Sequence, residues 1–315
     1  MVEAGEKRCS KWDAWWIAVR PHTLPAAASP VGVGMALAYE GGVFAPAPAC
    51  LALLGALLIQ AGTNLANDYF DAERGVDDRR TEGFTRVTSS GLLEPDDVWN
   101  GMVIAFAGAV AAGVYLVYVG GLPILIVGIT GIFFGIAYSG GPMPFGSIGL
   151  GDLMVFLYFG VIAVSGTYYV QSAAIRAGPF PVGIPDGTLS GPVLVASLPA
   201  AAFSTAILVV NNIRDLDTDR AAGKTTLAVL IGRTASRVEF TLLLVLPHVV
   251  PVCLWGAGTF PSVILLPLIS APAAVPVGQT VWTNDTGKAL NRALSGTGKL
   301  LLVHSLLFSA GLLAA

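Results

Sequence analysis

The chain has 315 residues, of which 54% are hydrophobic and only 12% charged, against roughly 25% charged in a soluble domain. With a mean hydropathy of +0.73, it reads as an integral membrane protein whose apolar segments leave no room for a separate soluble domain. A formal net charge of −3 gives no sign of nucleic-acid binding. The isolated Cys9, Cys50 and Cys253 form neither a disulfide framework nor a zinc motif.

The N-terminal residues Lys7, Arg8 and Lys11 precede an apolar run broken by Pro21, Pro25 and Pro30, a poor core for a signal peptide. Segment 1–20 reads instead as an interfacial helix that sets Trp12, Trp15 and Trp16 at the headgroup level. A span needs about 20 apolar residues. That rule places about nine transmembrane helices, at 24–41, 48–70, 97–119, 122–139, 152–172, 192–213, 237–257, 260–281 and 297–314. The longest loops between them, 71–96 and 214–236, read as caps on one side of a single membrane domain covering 1–315.

Charge orients this layout, because short cytoplasmic loops collect Lys and Arg. With the N-terminus inside, sixteen of the seventeen basic residues are cytoplasmic and Arg176 alone lies outside. The Gly/Pro-rich segment 173–191 is then an external loop. The expected location is the cell membrane, crossed many times, with the N-terminus and both cap loops cytoplasmic.

Two polar faces lie on that cytoplasmic side. In NLANDYFD at 64–71, Asn64, Asn67, Asp68 and Asp71 have the spacing of one helical face. In NNIRDLDTD at 211–219, Asn211, Asn212, Asp215 and Asp219 repeat the pattern after another apolar run. Asp71 and Asp215 occupy corresponding places, so the chain reads as two pseudo-repeated halves. A single carboxylate at a membrane helix end is explained by contact with water; two matching sets with amides alongside call for more.

Magnesium takes hard oxygen ligands, commonly one or two carboxylates with substrate phosphates. Two acidic faces brought together suit Mg2+ ions carrying a diphosphate, and Arg86 and Lys224, each a short distance after its acidic face, are the cations that would meet the remaining anionic oxygens. A diphosphate at the mouth of an apolar bundle implies a substrate with a greasy tail, as in a polyprenyl diphosphate. Tyr69, Phe70, Phe134, Tyr138, Phe156 and Tyr158 are candidates to line the cavity and stabilise an allylic cation. A secondary transporter is the competing class, but the acids lie at helix ends and none sits near the bilayer midplane.

These residues resemble the UbiA superfamily of intramembrane aromatic prenyltransferases over most of the chain. The carrying motifs are RPHTLPAAASPVGVG at 20–34, TNLANDYFDAERGVD at 63–77, GFTRVTSSGLL at 83–93, YSGGPMP at 138–144, GLGDLMVFLYFG at 149–160, GTYYVQ at 166–171 and NNIRDLDTDRAAGKTTLAVLIG at 211–232. The chain is most similar to the branch that prenylates 1,4-dihydroxy-2-naphthoate in menaquinone synthesis. The resemblance implies helices around a central cavity open to the cytoplasm, with Asn67, Asp68, Asp71, Asp215 and Asp219 holding magnesium and Arg86 and Lys224 holding diphosphate. Asn64, one turn deeper, either touches metal or caps the polar network. It further implies an aromatic acceptor beside the prenyl donor, for which Arg20, His22, Tyr138 and Asp152 are candidates by position. Another acceptor, such as 4-hydroxybenzoate, a chlorophyllide or a glycerol phosphate, is the alternative. The chain departs from the family where a third Asp is common, having Gly75 with Asp77 and Asp78 beyond, and where Tyr and a basic residue often precede GLGD, having Ser147 and Ile148.

Overall fold

A computed structural model describes residues 10–75, 86–142, 144–285 and 287–315; Asp77 and Asp78 lie outside them. The described residues are helical with no strand, and seven helices among them are long and apolar enough to cross a membrane. The elements are α1 (Lys11–Val19), α2 (Leu24–Glu40), α3 (Pro46–Glu73), α4 (Pro95–Ala137), α5 (Gly151–Phe156), α6 (Ala163–Arg176), α7 (Gly191–Arg214), α8 (Leu216–Ala221), α9 (Leu227–Gly256), α10 (Ala271–Thr283) and α11 (Gly287–Leu313). A π-helical turn, Leu157–Ile162, joins α5 to α6, and a 3₁₀ stretch, Ser262–Ser270, leads into α10.

The sequence spacing separates 97–119 from 122–139, and α4, 43 residues in all, is accordingly two helices that meet at a kink. Straight, such a helix would measure about 65 Å, twice the hydrocarbon thickness. Gly121 breaks it at φ 66 and ψ −151. The backbone groups freed at the break are met from the 173–191 loop and from α6. Leu122 N–H donates to the Pro181 carbonyl (3.0 Å), Phe180 N–H donates to the Tyr118 carbonyl (2.8 Å), and the Tyr169 hydroxyl donates to the Gly120 carbonyl (2.9 Å). A Cβ at position 121 would stand 1.8 Å from the Pro181 oxygen, so only glycine fits. The first expected span, 24–41, is a 17-residue helix. The expected count of nine is therefore not reached by length and apolarity alone.

Lipid replaces water as the solvent of the outer faces, so large apolar side chains such as Ile104, Ile129, Leu242, Ile269 and Leu306 point outward. The centre is α7, 72% buried along its most apolar stretch, against 44% or less for every other spanning candidate. Small residues allow this: without a hydrophobic drive between helices, close backbone packing holds them together. Ala200, Ala201, Ala202 and Ala206 of α7 are buried, and a Cβ at Gly160 would fall 2.1 Å from the Ala201 Cα. One apolar core joins α2, α7, α9 and α11 around Phe203, Phe240 and Phe308; a second, around Leu65, Val98, Met102 and Phe106, joins α1, α3 and α4.

Proline in α9 leaves a polar debt that α11 settles. Pro251 has no N–H, so the Pro247 carbonyl lacks its usual i+4 donor. His304 Nε2 lies 2.9 Å from that oxygen, and because a carbonyl only accepts, Nε2 carries the proton.

Candidate active site

The first acidic face forms on the last turns of α3. Asn64, Asp68 and Asp71 are buried, and Asn67 is half-buried beside them. Asp68 is met by three donors from elsewhere. Arg20 Nη2 lies 3.1 Å and Arg86 Nη1 3.3 Å from its Oδ1, and the Val87 N–H donates to Oδ2 at 3.0 Å. Arg86 Nη2 reaches Asp71 Oδ2 at 3.3 Å. Arg86 thus bridges both acids, as a planar guanidinium does well.

Arg20 reaches Asp68 because of how the corner after α1 is built. Its backbone is left-handed (φ 54, ψ 70), which turns the chain into the 3₁₀ segment Pro21–Thr23. Asn64 braces that corner: Nδ2 donates to the Val19 carbonyl (2.8 Å) and to Thr23 Oγ1 (2.9 Å), while Oδ1 accepts from Gln60 Nε2 (3.4 Å). Between metal contact and network cap, Asn64 is found in the network. Asn67 Oδ1 accepts from Ser139 Oγ at 2.6 Å. His22, in the corner itself, is held below the usual imidazole range by burial, with the neighbouring Arg20 charge acting the same way.

The second face differs from a single continuous helix. α7 ends at Arg214, Asp215 sits at φ −93 and ψ 6, and α8 follows. Backbone bonds nevertheless continue across the bend, from Asp215 N–H to the Asn211 carbonyl (3.0 Å) and from Asp219 N–H to the Asp215 carbonyl (2.7 Å). Asn212, Asp215 and Asp219 are buried. Arg214 grips Asp215 with two bonds (Nε to Oδ1 2.7 Å, Nη2 to Oδ2 2.6 Å). It also donates to Asn211 Oδ1 and to Asn291 Oδ1 of α11, both at 2.7 Å. Lys224 Nζ stands 4.0 Å from Asp219 Oδ1.

One segment ties the two faces to the same end of the bundle. Near its start, Ser139 bonds Asn67, and the Gly141 carbonyl accepts from Arg74. Near its end, the Ser147 carbonyl accepts from the N–H (2.9 Å) and the hydroxyl (2.7 Å) of Thr225, next to Lys224. Ser147 follows Ser139 by eight positions (147 minus 139), so these anchor points lie at most about 28 Å apart.

The expected acceptor residues divide. Arg20 is on Asp68, and Tyr138 packs its ring against Gly146 and Gly151. Asp152 is buried at the start of α5, its Oδ2 without a hydrogen-bond partner. Tyr69 and Phe70 pack with Trp99 between α3 and α4, while Phe134, Phe145 and Tyr158 form a separate aromatic cluster, with Phe134 centroids 5.0 and 5.3 Å from the other two. Sequence reading missed Arg214 and Asn291. The only signal for Arg214 was its place beside Asp215 in a buried polar motif.

Among the described residues no three His, Cys, Asp or Glu side chains gather closely enough to hold a metal by themselves. The donor set still fits Mg2+, which takes one or two carboxylates and completes its shell with water and phosphate oxygens. Every acid of both faces is matched by a cation, which suits an anionic metal–phosphate ligand.

Fold and site together define a polytopic helical membrane protein with paired acidic and basic groups at one end of its bundle. The chain belongs to the UbiA prenyltransferase family, whose model matches residues 27–306. It is 33% identical over 317 aligned positions to the 1,4-dihydroxy-2-naphthoate octaprenyltransferase of Escherichia coli, covering 98% of this chain and 97% of the relative. It is 34% identical to the enzyme of the same name from Mycobacterium leprae, over 96% of this chain and 97% of that one. In fold it is similar to a UbiA homolog from Archaeoglobus fulgidus bound to DMAPP and Mg2+, with a TM-score of 0.63 at 14% identity, covering 96% of this chain and 99% of the other.

Proposed function

We propose that this chain transfers a polyprenyl group from a polyprenyl diphosphate to 1,4-dihydroxy-2-naphthoate, with loss of the carboxylate, giving demethylmenaquinone. The observation that carries the reading is the pairing of each acidic face with its own cations. The acceptor identity is supported by the names of the two relatives aligned over nearly the full chain.

Asn67, Asp68 and Asp71 of α3, with Asp215 and Asp219 around the α7–α8 bend, would hold the magnesium. Asn211 and Asn212 stand in the second polar set with them. Bound there, Mg2+ supplies Lewis-acid charge that makes the diphosphate a better leaving group. Arg86, paired with Asp68 and Asp71, and Lys224, beside Asp219, would meet the diphosphate oxygens. The apolar interior would keep water from the allylic centre, and the aromatic cluster of Phe134 and Tyr158 is the candidate to offer ring faces to it. Arg20, His22, Tyr138 and Asp152 remain the candidates for the acceptor by position, Arg20 through its place beside Asp68.

The protein is read as a single domain over 1–315 in the cell membrane, with the N-terminus and the caps 71–96 and 214–236 cytoplasmic, which the distribution of Lys and Arg supports. Mass spectrometry of products formed in membranes from a labelled prenyl diphosphate and a panel of acceptors tests the assignment. Prenylated, decarboxylated naphthoquinol is expected; product from 4-hydroxybenzoate or glycerol phosphate alone would replace the acceptor.

A further inference from the structure

Asp152 is the buried acid that the metal and diphosphate chemistry leaves unused. It is 5% exposed, and its Oδ2 has no hydrogen-bond partner among the described residues. A carboxylate in such a place costs several kcal/mol unless something donates to it.

Helix register locates it. Gly160 faces Ala201 and Gly151 faces Leu208, so α5 and α6 run antiparallel to α7 and Asp152 stands at the level of Leu208. On α9, which also runs antiparallel to α7, Arg233 bonds the Ile213 carbonyl and His248 packs on Phe203. Glu239 lies between those two contacts, at the same level of α7 as Asp152, and its carboxyl feels the Asp152 charge. Two acids therefore converge on one stretch of α7, seven residues before Asp215 (215 minus 208), about 10 Å deeper than the second metal-binding acid. That is one aromatic ring's reach below a diphosphate held at Asp215. The segment before Asp152 is bonded to Thr225, beside Lys224, so the carboxyl is fixed relative to the diphosphate-binding loop.

We propose that the Asp152 carboxylate, backed by Glu239, is the acceptor subsite and takes a hydrogen bond from a hydroxyl of the aromatic co-substrate. The inference rests on the prenyl-transfer reading above and names the group that selects a hydroxylated ring. A hydroxyl is the donor this pair lacks; a carboxylate is repelled by it, so the substrate's own carboxylate is turned toward the cations of the mouth. A hydroxyl bonded to a carboxylate also feeds electron density into the ring, which favours attack on an allylic cation.

The test measures equilibrium binding of 1,4-dihydroxy-2-naphthoate and of 2-naphthoate, which lacks both hydroxyls, to the full chain in nanodiscs. Asp152→Asn is expected to weaken the dihydroxy compound about tenfold and to leave 2-naphthoate within about twofold. Glu239→Gln gives a smaller change of the same kind, and Asp152→Glu restores part of the loss. Equal weakening of both ligands by Asp152→Asn, or no change for either, overturns the proposal. If the wild-type protein prenylates 4-hydroxybenzoate and not the naphthoate, the acceptor assignment fails separately, and the same comparison is read with 4-hydroxybenzoate against benzoate.

Discussion

The two acidic faces look alike in sequence and are built differently. On α3, the cations come from far along the chain: Arg20 is 48 residues before Asp68 and Arg86 is 18 after it. At the α7–α8 bend they are local, Arg214 next to Asp215 and Lys224 five residues after Asp219 (224 minus 219). The first face is thus a tertiary assembly that exists only when α1, its corner and the 86–93 turn dock on α3. The second is largely prepared by its own segment, with Asn291 of α11 as its distant contributor.

Removing one acid from each face is the strongest way to break this comparison. Asp68→Ala takes away the anchor shared by Arg20, Arg86 and the Val87 amide, and should cost about 3 kcal/mol or more, as for breaking a buried ion pair. Asp215→Ala leaves Arg214 its bonds to Asn211 and Asn291, so its cost should be about 1–2 kcal/mol. Unfolding midpoints in detergent read the difference; equal losses would mean that the first face is no more tertiary than the second. Next in size, Arg86→Ala should raise the KM for prenyl diphosphate by about 10–100-fold with a smaller change in the acceptor KM, as loss of a charge-assisted contact predicts. Lys224→Ala should do the same more weakly, since an ammonium offers a point charge where the guanidinium offers a fork; steady-state kinetics in both substrates checks the order. The smallest effect is expected from Asn64→Ala. It should lower stability by about 1–2 kcal/mol through the corner bonds to Val19 and Thr23, without shifting the magnesium concentration needed for half-maximal turnover. A large magnesium shift would return Asn64 to the ligand set.

Much of this arrangement was legible because membrane sequences expose it. A polar residue in an apolar helix has few explanations, so the face of Asn64, Asp68 and Asp71 and its echo at Asn212, Asp215 and Asp219 stood out. What stayed hidden was of two kinds. Long-range partners such as Arg20 on Asp68 and Asn291 on Arg214 depend on packing that local spacing does not encode. Some backbone events were hidden as well. The break at Gly121 was legible, since it falls between the spans expected at 97–119 and 122–139, but the bend at Asp215 carries no glycine or proline to mark it. The π-helical turn at Leu157–Ile162 had no sequence signal that we recognise.

The central claim is that both acidic faces serve one metal–diphosphate site despite their different construction. The direct measurement is magnesium-dependent release of inorganic diphosphate, with prenyl transfer to the naphthoate, in membranes carrying Asp68→Ala or Asp215→Ala at matched amounts of inserted protein. The account predicts that each substitution alone abolishes turnover across the magnesium range, although Asp215→Ala leaves the fold nearly intact. Full turnover by both variants, or loss in only one of them, would contradict it.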